Sequence, residues 1–96
     1  MSKNVIYIAG PMTGYDNFNR DAFNAYAGLL KEEGFTVLNP AILPDNLEQK
    51  EYMDICFAMI RSSDSIYMLP DWEISLGAKA EYAYANKLGL SIKGFL

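Results

Sequence analysis

The chain has 96 residues, of which 51% are hydrophobic and 21% charged, the balance of one folded domain spanning residues 1–96 rather than a disordered tail. Eight Lys/Arg against twelve Asp/Glu give a net charge of −4 with no basic cluster, so a polymeric nucleic acid is not the expected partner. Histidine is absent and Cys56 stands alone, which excludes Ser-His-Asp and Cys-His catalysis, His-based or multi-Cys metal sites and an internal disulfide.

No apolar run approaches the roughly 18 residues of a membrane span, and Met1 to Asn4 lead straight into a strand-like segment. Neither a membrane partner nor a cleavable signal is expected, and the expected location is cytoplasmic. Val5 to Ala9 is a β-branched and aromatic run ended by Gly10-Pro11, which predicts a buried strand. The loop Gly10-Pro11-Met12-Thr13-Gly14 follows and extends through Phe18. Asn19 is the predicted N-cap of a helix to about Glu33, with Phe23, Tyr26, Ala27 and Leu30 on one face and Gly34 at its end. Phe35 to Leu38 is a second strand, stopped by Asn39-Pro40, and Ala41 to Gln49 reads as loop. A helix over about 50–62 carries Tyr52, Ile55, Cys56, Met59 and Ile60 at helical spacing. Asp64 to Leu69 is a third strand, Ser75 caps a third helix to about Leu88, and Leu90 to Phe95 is a fourth strand.

Strands separated by helices of this length imply right-handed βαβ crossovers. The expected fold is a small α/β three-layer sandwich with a four-stranded parallel sheet, order 2-1-3-4, in the flavodoxin-like arrangement. So small a sheet leaves edges and helix faces poorly covered, so a homo-oligomer is expected.

Ligands of such sheets bind beyond the carboxyl ends of the strands, where strand order reverses. That crevice is flanked by Gly10–Phe18 and by Pro70–Ile74, the most irregular segments of the chain. Glycines at 10 and 14 permit close ligand approach, with free N–H groups to receive a phosphate or sugar hydroxyl; a plain strand-exit turn is the alternative. On the third helix, Ala78, Ala85 and Leu88 define the inward stripe, with Tyr84 at its flank and Lys79, Asn86 and Lys87 on the wet face. Spacings of three and four place Glu81 on the inward side, a carboxylate turned toward the crevice; snorkelling to water is the alternative. Ser75 is an ordinary cap or, beside free N–H groups, an anion receiver. Trp72 stacks on a base or lies over the sheet as a lid, and Asp71 and Glu73 are acids that orient sugar hydroxyls or protonate a leaving base.

Taken together, Tyr7-Ile8-Ala9-Gly10-Pro11-Met12-Thr13-Gly14, Asn39-Pro40, Leu69-Pro70-Asp71-Trp72-Glu73 and Ser75-x-Gly77-Ala78-x-x-Glu81 resemble the nucleoside 2-deoxyribosyltransferase-like superfamily, and most closely its short bacterial and phage branch, related to the 2′-deoxynucleoside 5′-monophosphate N-glycosidases. The resemblance implies a flavodoxin-like fold, oligomers with sites near subunit contacts, and a glutamate nucleophile, Glu81. It further implies that Ser75 holds the 5′-phosphate, that Tyr7 lines the site, and that the Gly10–Gly14 loop and Gly77 contact the sugar and phosphate. The expected partner is a small nucleoside or nucleotide, cleaved or transferred at its N-glycosidic bond, with Asp71, Glu73 and Tyr7 as candidate proton donors and no cofactor or metal. Two positions depart from the pattern. Cys56 stands where relatives often carry an aspartate, and Thr13 where the nucleotide N-glycosidases have an arginine. The alternative is a non-catalytic nucleotide-binding module using the same crevice.

Overall fold

The computed structural model describes residues 4–96; the segment Met1–Lys3, and with it the expected lead into the first strand, lies outside the described residues. Four strands, β1 (Val5–Ala9), β2 (Thr36–Leu38), β3 (Ser65–Met68) and β4 (Ser91–Gly94), alternate with three helices, α1 (Arg20–Glu32), α2 (Gln49–Arg61) and α3 (Leu76–Leu88). All strand pairings are parallel, as the spacing of strands and helices predicts, and the order is β2-β1-β3-β4, the flavodoxin-like arrangement expected. The strands are shorter than the apolar runs that announce them. Leu69, for example, lies past the end of β3, yet its N–H still donates to the Ala9 carbonyl at 2.9 Å.

Alternation along β1 builds two cores. Ile6 and Ile8 face Phe23, Ala27 and Leu30 of α1 on one side. Tyr7 and Ala9 face Cys56 and Ile60 of α2 and Ala85 of α3 on the other. Four of the five β1 side chains, Ile6 to Ala9, are fully buried, which ties the central strand's position to both helical layers. Each such isoleucine contributes about 1.5–3 kcal/mol of apolar burial.

Local chemistry departs from expectation in three places. Asn19 does precede α1, but its φ of 62° is left-handed and its side chain does not cap the helix; its amide instead donates to the Pro11 carbonyl at 2.9 Å, tying the loop after β1 to the helix start. Helix α2 starts one residue early, where the Glu51 carboxylate accepts from the Glu48 N–H at 2.8 Å. Ile55 and Leu88, placed on inward stripes by periodicity, are 36% and 46% exposed: the buried face of α2 runs through Cys56 and Ile60, and Leu88 is the last residue of α3. Gly94 closes the last strand with φ of 99°, where a Cβ would lie 2.4 Å from the Met68 carbonyl oxygen, so glycine alone fits. No helix among the described residues is long and apolar enough to cross a membrane.

Candidate functional site

Three chain segments leave the carboxyl ends of the sheet around β1: the loop after β1 itself, the segment after β2 on one side, and the start of α3, following β3, on the other. They enclose a cavity of about 140 Å³. Tyr7, Glu81, Ser75, Gly77 and Ala78 line it from the β1–α3 side; Tyr52 and Met53 of α2 complete that wall. Phe18, Arg20, Pro44, Asp45 and Asn46 line it from the opposite side.

The β1–α3 wall is built by core packing. Ala78 and Ala85, both buried, seat α3 against the sheet, and Glu81 lies between them on the same face at 5% exposure. The Tyr7 hydroxyl, itself fully buried, donates to Glu81 Oε2 at 2.9 Å. Burial pushes the Glu81 carboxyl up to about 7, against the Tyr7 hydrogen bond and the nearby Cys56 thiol, which favour the ionised form. Burial together with the Glu81 charge drives the Tyr7 phenol well up, so Tyr7 stays a donor throughout the physiological range. Cys56, fully buried in the same wall, has its thiol pushed up to about 12 by burial first and the Glu81 charge second, so it remains a neutral thiol. The Tyr52 hydroxyl contacts Met12 Sδ at 2.7 Å and the Pro40 carbonyl at 3.3 Å, holding the loop after β1 against α2.

Ser75 accepts from the Ala78 N–H at 3.1 Å, an ordinary N-cap, and also lines the cavity. The first-turn N–H groups of α3 beside it have no partner within the helix. Gly10 is where β1 passes Leu69 too closely for a side chain: a Cβ there would lie 2.8 Å from the Leu69 Cβ.

The opposite wall is held by different means. Asn17, Phe18 and Asn19 have φ of 49°, 54° and 62°, three successive non-glycine residues in the left-handed region, each costing roughly 1–2 kcal/mol. Arg20 Nη1 donates to Asn17 Oδ1 at 3.2 Å, while Nη2 donates to the Leu43 carbonyl at 3.3 Å and to Asp45 Oδ1 at 2.7 Å. Its guanidinium carbon lies 5.2 Å from the centre of the Phe18 ring.

Residues 4–94 match the family described as "Domain of unknown function (DUF4406)". The chain belongs to that family. No curated protein matches this DUF4406 chain. Among solved structures it is similar to a "2-desoxiribosyltransferase from Leishmania mexicana", with a TM-score of 0.77 and 26% identity over 98% of this chain and 64% of that one. The DUF4406 chain thus spans less than two thirds of that enzyme's length and shares the fold its own motifs resemble.

Against the sequence expectations, this DUF4406 chain brings Tyr7, Gly10, Met12, Thr13, Ser75, Gly77 and Glu81 to one cavity. Pro11 is buried and lines an adjoining groove with Ile74 and Leu76. Gly14 is exposed and lines neither. Asp71, Trp72 and Glu73 also stand outside the cavity lining, a correction to their expected contact with a base. Trp72 takes the lid alternative: its ring stacks on Tyr82 at 4.8 Å and its Nε1–H donates to the Phe95 carbonyl at 2.6 Å. Sequence reasoning missed Arg20 and its Phe18–Asp45 surroundings. One signal was present: Arg20 begins the 20-23-27-30 stripe, an arginine at the head of an otherwise apolar face.

Proposed function

We propose that the protein cleaves or transfers the N-glycosidic bond of a 2′-deoxynucleoside or its 5′-monophosphate, with Glu81 as nucleophile. The observation that carries this reading is a carboxylate 5% exposed, fixed by the Tyr7 hydroxyl, facing a cavity at the strand-order reversal of the sheet. In the proposed reaction a Glu81 carboxylate oxygen attacks C1′ through an oxocarbenium-like transition state while the C1′–N bond breaks. The bonding pair leaves with the base, which takes a proton from water at the cavity mouth. Water or a second base then attacks C1′ of the glycosyl-enzyme, its proton passing to the hydroxide left by the first step, while the C1′–O bond breaks and its electron pair returns to the Glu81 carboxylate, giving hydrolysis or transfer. Tyr7 holds the carboxylate in line, and Ser75 with the first turn of α3 receives the 5′ end. Likeness to a solved structure titled a 2-desoxiribosyltransferase supports the same class of chemistry. Exposed Ile74 and Leu76 flank Ser75 and border an apolar groove at the rim, supporting a homo-oligomer in which a second copy covers them.

Incubation with 2′-deoxynucleosides and their monophosphates, with and without an acceptor base, is expected to release or exchange free base. Glu81→Ala is expected to lose about 1,000-fold or more in rate. Undiminished activity in that variant overturns the assignment.

One observation favours a second reading, a binder without turnover. Cys56, neutral and fully buried beside Tyr7 and Glu81, leaves this wall without a second carboxylate next to the proposed nucleophile. Saturable nucleotide binding with no base release over hours selects that reading.

A further inference from the structure

We propose that Phe18 and Arg20 form the nucleobase-recognition wall of the cavity and set which base is accepted. This assignment rests on the function proposed above and deepens it.

Topology separates the two ends of a ligand. Ser75 and the start of α3 follow β3, on one side of β1, and suit the 5′ end; Pro44 and Asp45 follow β2 on the other side, and Arg20, at the end of the loop after β1, is tied to them by its hydrogen bonds to Leu43 and Asp45. With C1′ at Glu81 beside the central strand, a base departing away from α3 meets the Phe18–Arg20 wall. The chemistry of that wall fits a neutral planar group better than a phosphate. Arg20 lines the cavity, but its charge is compensated by Asp45 at 2.7 Å. A guanidinium carries five N–H donors, and three hydrogen bonds to Asn17, Leu43 and Asp45 leave others for a base carbonyl. Phe18 is 46% exposed, borders the cavity, and has Arg20 over one ring face, which leaves the other flat apolar face for a base. A large exposed aromatic residue held in a left-handed run of three is costly to maintain, and stacking on a base gives that conformation a purpose.

The test is calorimetric binding to Glu81→Gln, which removes turnover, using the four 2′-deoxynucleoside 5′-monophosphates and base-free 2-deoxyribose 5-phosphate. Phe18→Ala, which truncates a 46% exposed side chain outside both cores, is expected to weaken every nucleotide by about tenfold and to leave 2-deoxyribose 5-phosphate unchanged. Arg20→Ala is expected to erase a roughly fivefold preference for carbonyl-bearing bases over adenine, again without touching the base-free sugar. Should Arg20→Ala unfold, Arg20→Lys, which keeps the charge and changes the donor geometry, reads the same preference. If nucleotides bind but Phe18→Ala leaves their affinity unchanged, or both substitutions weaken the base-free sugar equally, the base-recognition assignment is wrong while the proposed function stands. If neither nucleotides nor the sugar phosphate bind at millimolar concentration, the function itself fails.

Discussion

The two walls of the cavity are stabilised in opposite ways. The Tyr7–Glu81 wall is part of the hydrophobic core: its polar groups satisfy each other inside packed alanines, and a change there disturbs the whole fold. The Phe18–Arg20 wall is a surface structure. It is held by one ion pair with a 60% exposed partner, by hydrogen bonds to a loop, and by strained backbone. Rigidity is thereby concentrated where a reacting atom must be placed, and tolerance where ligands differ.

The sharpest way to break this comparison is pH. Glu81 is lifted from an ordinary value near 4.5 to about 7 in the folded protein, so its protonated form is the favoured one in the core. The folded state therefore binds more protons than the unfolded chain between those values. The stability Glu81 contributes is complete below about 4.5 and is lost as pH rises through about 7. Denaturant unfolding is expected to show a loss on the order of 3 kcal/mol between pH 4 and 8. The loss is expected to vanish in Glu81→Gln; a variant with the same slope shows that the carboxyl is not desolvated.

Gly10→Ala comes next. Its Cβ would collide with Leu69 beneath the site, and the expected cost is about 1–3 kcal/mol with a corresponding fall in Tm. An unchanged Tm shows that the strand exit is looser than its packing implies. Ser75→Ala removes the cap of α3 and is expected to cost ~1 kcal/mol in stability. The same substitution is expected to raise KM for a monophosphate more than for the corresponding nucleoside; equal changes restrict Ser75 to capping. Smallest of all, Asp45→Ala on the rim is expected to lower stability by no more than about 1 kcal/mol. A loss several times larger erases the distinction between the walls.

The same contrast explains what the sequence reveals. The parallel sheet and the inward facing of Glu81 follow from period and spacing: strands separated by helices of about twelve or more residues, and helical offsets linking Ala78, Glu81 and Ala85. The strand order is expected only from the flavodoxin-like arrangement. Ser75 is recognisable because capping is local. The Arg20–Asp45 pair is not, since it joins residues 25 apart through a loop with no periodicity. Nor is the left-handed run, because Asn17, Phe18 and Asn19 include no glycine to announce it. Asp71, Trp72 and Glu73 mislead for a related reason. Their composition suits a base, but stacking on Tyr82 and capture by the Phe95 carbonyl give the indole a structural role that only tertiary contacts disclose.

That placement has a practical use. The protein has one tryptophan, locked between a tyrosine ring and the C-terminal strand and clear of the cavity lining. Its emission follows unfolding of the β4 edge while a ligand in the cleft leaves it largely undisturbed. Fluorescence thus provides a built-in gauge of global stability against which ligand-induced stabilisation can be read without a dye or a label.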